Sequence, residues 1–166
     1  MIKFGTGGFR AIIGDDFIRS NVDLLTQGLV NKMVRENVQD TTVIIGYDRR
    51  FLSDTTARWA AEVFAGNGIK SQIINYDAPT PIIMFEVKRT GAKYGMAVTA
   101  SHNPAEYNGI KVFTEGGRDA TELVTNDIEA EIAKITIDDV KHMPIKEALE
   151  CGLVEYINPM NPYLDS

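Results

Sequence analysis

Four short runs rich in β-branched and other apolar residues constrain this chain more than any other feature: Val43–Gly46, Ile69–Asn75, Tyr94–Thr99 and Gly109–Thr114. Runs of that length suit strands buried on both faces, which need helices covering a sheet from either side. Helical patterns stand between and around them. From Phe17 to Val38 the residues Ile18, Val22, Leu25, Leu29 and Met33 recur at three and four positions, with Ser20 and Asp23 spaced as a capping box. Ser53 caps a second helix, whose Thr56, Ala60, Val63 and Phe64 point inward and which stops at Gly66-Asn67-Gly68. In Pro79-Thr80-Pro81, Thr80 reads as a cap and Pro81 as the first helical residue of a helix running to Gly91. Val124, Ile128, Ile132 and Ile135 mark another helix beyond the Glu115-Gly116-Gly117 turn. The alternation predicts an α/β layered fold with a largely parallel sheet.

The C-terminal stretch differs. Pro144–Cys151 reads as a short helix ended by Gly152, and Val154–Ile157 as an extended piece leading to Asn158-Pro159-Met160-Asn161-Pro162. Residues 1–140 are therefore expected as the folded domain and 141–166 as a linker. No internal repeat or low-complexity stretch occurs.

Charge narrows the function. Acids outnumber bases 23 to 17 and no basic stretch exists, which disfavours nucleic-acid binding but leaves room for a small anion in a local basic pocket. Cys151 is the single cysteine, so no intrachain disulfide or thiolate cluster can form, and a reducing compartment is the simplest expectation. With no signal-like start, no apolar run near membrane-spanning length and no Asn-x-Ser/Thr acceptor, a cytoplasmic protein away from membranes is expected. His102 and His142 are the only histidines, which limits imidazole metal sites. His142 and Cys151 have no motif around them and read as structural or surface residues.

Two segments carry reactive groups. Thr99-Ala100-Ser101-His102-Asn103-Pro104 follows a buried strand, where ligands bind in open α/β sheets. A capped turn would explain it equally well. A hydrolase elbow would not, because Thr99 and Asn103 occupy its glycine positions. Phe4-Gly5-Thr6-Gly7-Gly8-Phe9-Arg10 looks superficially like a dinucleotide loop, but Arg10 stands at the third glycine position and no full strand precedes it. Its glycines with Thr6 and Arg10 suit an anion cradle, and a flexible arm is the plain alternative. Lys111, after the Asn108-Gly109 turn, and Arg49 and Arg50, after Gly46-Tyr47-Asp48, would reach the same sheet edge, or be solvated surface charges.

In order and spacing across residues 4–112, these segments together with Pro79-Thr80-Pro81 and Tyr107–Val112 resemble the α-D-phosphohexomutase family, the phosphoglucomutases and phosphomannomutases. The Thr-Ala-Ser-His-Asn-Pro string is the most specific of them. The resemblance implies the first of four domains: a three-layer α/β/α unit with a four-stranded mixed sheet whose last strand is antiparallel. It implies a phosphoserine at Ser101, catalytic roles for Ser101, His102, Lys111 and Arg10, and phosphate contacts from Thr6, Gly7, Arg10, Asn103 and Lys111. It also implies Ser101 as one magnesium ligand with the others supplied by a second domain, hexose phosphates as substrates, and a glucose 1,6-bisphosphate-type activator. Ala11, where the family usually has glycine, and Glu106, where it often has aspartate, depart mildly from the pattern. The expected reading is a mutase domain inactive without its partner domains. The alternative is a standalone phosphosugar-binding module.

Overall fold

The strands expected at 43, 69, 94 and 109 do lie in one sheet, and the sheet extends beyond them on both sides. The computed structural model describes residues 4–5, 8–12, 19–47, 53–98 and 107–159. Along the chain these form β1 (Phe4–Gly5), β2 (Gly8–Ile12), α1 (Arg19–Arg35), β3 (Val43–Tyr47), α2 (Ser53–Gly66), β4 (Ser71–Ile74), α3 (Thr80–Thr90) and β5 (Tyr94–Val98). They continue through β6 (Tyr107–Thr114), β7 (Arg118–Asp119), α4 (Glu122–Ile132), a 3₁₀ turn at Ile137–Asp139, α5 (Ile145–Cys151) and β8 (Val154–Ile157).

The spatial order is β1-β2-β6-β5-β3-β4-β8, with β7 pairing β6. Strands β3, β4, β5 and β8 run parallel, whereas β6 pairs antiparallel with β5, β2 and β7. The sheet is thus mixed, and β6 is antiparallel as the family resemblance implies. Residues 99–106 are too few for a crossover helix, which needs about a dozen residues, so the chain must return beside β5 in the opposite sense.

The four-strand expectation is corrected. Six strands have four residues or more, and β1 and β7 have two each. Of the two long strands beyond the expected four, β8 is the Val154–Ile157 segment expected as an extended piece, and both carry little apolar signal. Gly8–Ile12 reads GFRAI, and in β8 only Val154 is buried while Glu155 and Tyr156 are exposed. β8 lies at the edge of the sheet and is half-solvated, so its pattern does not stand out from loop sequence.

Helices α1, α2, α4 and α5 cover one face and α3 the other. Leu25, Leu29, Ile45, Phe64, Val112 and Ile128 belong to the first core cluster, and Ile44, Ile83, Val87, Ala97 and Phe113 to the second. The alternation of Ile44 and Ile45 between the two is the strand period of two. Small displacements from the sequence reading occur at helix starts. Pro79 is the N-cap of α3, with Thr80 and Pro81 in its first turn, where a missing N–H costs nothing. Asp23 makes no capping box; it is buried in α1, 3.7 Å from Arg19 and 3.8 Å from the His142 imidazole.

Within the span expected as linker, residues 145–157 fold onto the domain as α5 and β8. The approach is fixed by a strap at 141–145. Met143 N–H donates to the Glu62 carbonyl at 3.0 Å, Ile145 N–H to the Glu62 carboxylate at 2.7 Å, and Lys141 N–H to the Gln27 amide oxygen at 3.1 Å. Gly66 makes this possible, since a Cβ there would lie 2.4 Å from His142 Cα. Gly66→Ala should therefore push the strap off α2 and cost about 1–2 kcal/mol, overpacking outweighing the gain in helix propensity. Urea unfolding would measure the loss, and an unchanged or raised midpoint would mean the strap yields freely.

At the amino edge of β5, a buried lysine ties three elements. Lys32 of α1 donates to Glu36 and, at 3.0 Å, to the Tyr94 hydroxyl, and lies 3.3 Å from Asp127 of α4. The Tyr94 hydroxyl donates in turn to Glu36 at 2.5 Å.

Candidate functional site

Strand ends decide which of the singled-out residues can meet. Val98 ends β5 and pairs with Ile110 of β6 on one side and with Tyr47, the last residue of β3, on the other. The segment starting at Thr99 and the one starting at Asp48 therefore leave the sheet from neighbouring strands, at the carboxyl edge where open α/β sheets bind ligands. Strand β6 reaches three residues past the Val98–Ile110 pair, to Tyr107, and at the first of them Gly109 pairs with Arg10 of β2. Lys111, two residues further along β6, pairs with Gly8 on one side and Ala97 on the other. The fold thus brings the strand positions of Arg10 and Lys111 beside the origin of the 99–106 segment.

Of the remaining site residues expected from the sequence, Thr6, Gly7, Ser101, His102 and Asn103 lie outside the described residues, as do Asp48, Arg49 and Arg50. Lys111 is part-buried, on the α3-covered face with Ala97 and Phe113, and its ammonium is 3.9 Å from an Asp119 carboxylate oxygen. Glycine at 46 has a packing cause: a Cβ there would sit 2.3 Å from Ile83, so its absence lets α3 close against the end of β3. Next to it, burial pushes the Tyr47 phenol up, Asp54 adds to this, and the hydroxyl stays protonated and able to donate at neutral pH.

His142 sits on the strap against Gly66, at the C-terminal end of α2 and hence the opposite edge of the sheet. Cys151 is exposed at the end of α5. Among the described residues no group of three or more His, Cys, Asp and Glu is arranged to hold a metal ion. No described helix is long and apolar enough to cross a membrane.

Asp119 escaped the sequence reading, and Tyr47 was read there only as part of the Gly46–Arg50 segment. Asp119 was hidden because β7 is only two residues long, although the Gly116-Gly117 turn signals a chain reversal that must bring some residue back toward Lys111. Tyr47 acquires its place beside Val98 only through the parallel β3–β5 register, which no local pattern encodes.

A mixed α/β/α sheet with a Gly/Arg strand and a lysine strand beside the carboxyl end of β5 defines a class of α/β domain organised around one sheet edge. The chain belongs to the phosphoglucomutase/phosphomannomutase family, since the family model for "Phosphoglucomutase/phosphomannomutase, alpha/beta/alpha domain I" matches residues 1–138. It is 38% identical over 120 residues to a phosphoglucomutase of Staphylococcus saprophyticus, covering 70% of this chain and 22% of that protein. It is 34% identical over 122 residues to a phosphoribomutase of Saccharomyces cerevisiae, covering 70% and 20%. Among solved structures, a protein described as a phosphomannomutase from Thermus thermophilus superposes with a TM-score of 0.80 at 28% identity, over 95% of this chain and 33% of that one. The chain thus spans about a fifth of the length of the curated relatives it matches and a third of this structural one.

Proposed function

We propose that this chain is the phosphoserine domain of a sugar-phosphate mutase, with Ser101 as the group that carries the phosphoryl. The observation that carries the reading is the match to the family's first domain over residues 1–138, which includes the whole Thr99–Pro104 string. The strand register supports it, because Arg10 and Lys111 stand beside the point where that string begins.

In the forward step the bond between Ser101 Oγ and phosphorus breaks and phosphorus bonds to a sugar hydroxyl oxygen. The hydroxyl proton passes by way of His102 or Lys111 to the departing Ser101 Oγ, and the product is a bisphosphorylated sugar. After the sugar reorients, Ser101 Oγ takes the phosphoryl from the other position and its proton returns to the oxygen left behind. Little bond chemistry is asked of the protein, so positioning and charge neutralisation dominate. A phosphoserine carries roughly −1.5 to −2 charges near neutral pH, and Arg10, Lys111 and His102 are the groups that offset them, with Thr6, Gly7 and Asn103 donating to phosphate oxygens.

Ser101, once phosphorylated, would supply one ligand to magnesium, which would add charge neutralisation there alongside carboxylates from outside this domain. A bisphosphorylated sugar of the glucose 1,6-bisphosphate type would phosphorylate the resting serine. The relatives include phosphoribomutases as well as glucose and mannose mutases, at similar identities, so the substrate class is sugar phosphates, hexose phosphates among them. Without the other domains the chain should turn over no substrate, and it is expected to work in the cytoplasm.

The test is the intact mass and phosphosite map of the full-length protein after treatment with glucose 1,6-bisphosphate. Gain of one phosphoryl on Ser101 is the expected result. Phosphate on no residue, or on a residue other than Ser101, would sink the reading.

A further inference from the structure

The β6–β7 hairpin is built to hold one carboxylate next to Lys111. Gly116 and Gly117 turn the chain with φ of +89° and +72°, values that favour glycine. Gly117 is also pinned beneath α3, where a Cβ would meet the Met84 carbonyl oxygen at 2.1 Å. Asp119 then pairs with Phe113, and Ala120 N–H donates to the Val112 carbonyl at 3.0 Å, which closes the hairpin. Asp119 thus lies diagonally across from Lys111 on the same face, an arrangement in which opposite charges attract. The ammonium–carboxylate separation is 3.9 Å, with Lys111 21% and Asp119 56% accessible. Phe113 is two residues further than Lys111 from the carboxyl edge, so the attraction draws the ammonium away from the origin of the 99–106 segment.

We propose that Asp119 is a positioning residue that parks the Lys111 ammonium on the sheet until a phosphate competes for it. The proposal rests on the phosphoserine reading for the identity of the competing anion. Its consequence is directional: a carboxylate that shares the lysine opposes phosphate binding, so removing its charge should strengthen that binding. A pair this open to water is weakly coupled, which sets the expected effect at about two- to fivefold.

The experiment is a titration of the 166-residue chain with glucose 1-phosphate at low salt, followed by amide chemical shifts in wild type, D119N, D119E, K111M and the K111M/D119N double variant. D119N is expected to bind about two- to fivefold more tightly than wild type, and D119E to match wild type. In the K111M background D119N should change nothing, because the coupling runs through the lysine. Equal, weaker or absent binding by D119N would overturn the proposal. So would a gain that survives in K111M, which would mark a diffuse field rather than a parked lysine. No turnover is read, so failure here leaves the phosphosite map of Ser101 standing, and a failed phosphosite map leaves the Lys111–Asp119 coupling standing.

Discussion

Replacing Ser101 by alanine is expected to reduce sugar-phosphate mutase turnover by at least about 10⁴-fold in the full-length protein, since loss of a covalent nucleophile removes the whole two-step path. The same variant should take up no phosphate from glucose 1,6-bisphosphate. Steady-state rates with glucose 1-phosphate, measured beside the wild-type protein, decide it. Retention of more than about a hundredth of wild-type turnover would place the phosphoryl elsewhere. Lys111→Met gives a graded companion, because a positioned proton-transfer or charge-neutralising group contributes about 10²–10⁴-fold and leaves Ser101 able to accept phosphate.

The second large effect concerns stability. Lys32→Met should lower it by about 2–3 kcal/mol, less than the loss of a fully buried pair because the partner carboxylates keep some water. Glu36 and Asp127 are 34% and 33% accessible, against 4% for Lys32. The midpoint of thermal unfolding should fall by roughly 5–10 °C. The pH dependence carries a sign of its own. Burial alone would raise Glu36, but hydrogen bonds from Lys32 and Tyr94 outweigh it and hold the carboxyl below its ordinary 4.5. Asp127 is likewise held below 3.8, burial being outweighed by Arg35 and Lys32.

Depressed carboxylates contribute fully above their unfolded values and lose that contribution as pH falls through the folded ones. Burial pulls Lys32 down, yet its bonds to Glu36 and Tyr94 prevail and hold it above 10.5, so it stays charged across the whole acid and neutral range. Wild-type stability should therefore drop steeply below about pH 4.5, where Glu36 begins to protonate in the unfolded chain. K32M should show a flatter acid limb in urea melts taken from pH 7 to pH 3. Parallel acid limbs would mean the lysine is not what depresses these carboxyls.

Periodicity was enough for the central elements. Val22, Leu25, Leu29 and Met33 share a helical stripe and are all buried, and the runs at 43, 69, 94 and 109 became β3, β4, β5 and β6. Such segments face apolar neighbours on all sides, so burial writes itself into local composition. The strings from Phe4 to Arg10 and from Thr99 to Pro104 named the family for a related reason: the residue types that phosphate chemistry needs are present in the chain whatever its register. What depends on partners distant in sequence stayed hidden. GFRAI and VEYI are sheet strands only because β6 and β4 offer them unpaired edges, and residues 141–157 join the domain only because Gly66, Gln27 and Glu62 receive the strap. The same holds at the site, where Arg10 reaches Gly109 and Asp119 reaches Lys111 through hydrogen-bond register, a property of paired backbones that neither strand carries alone.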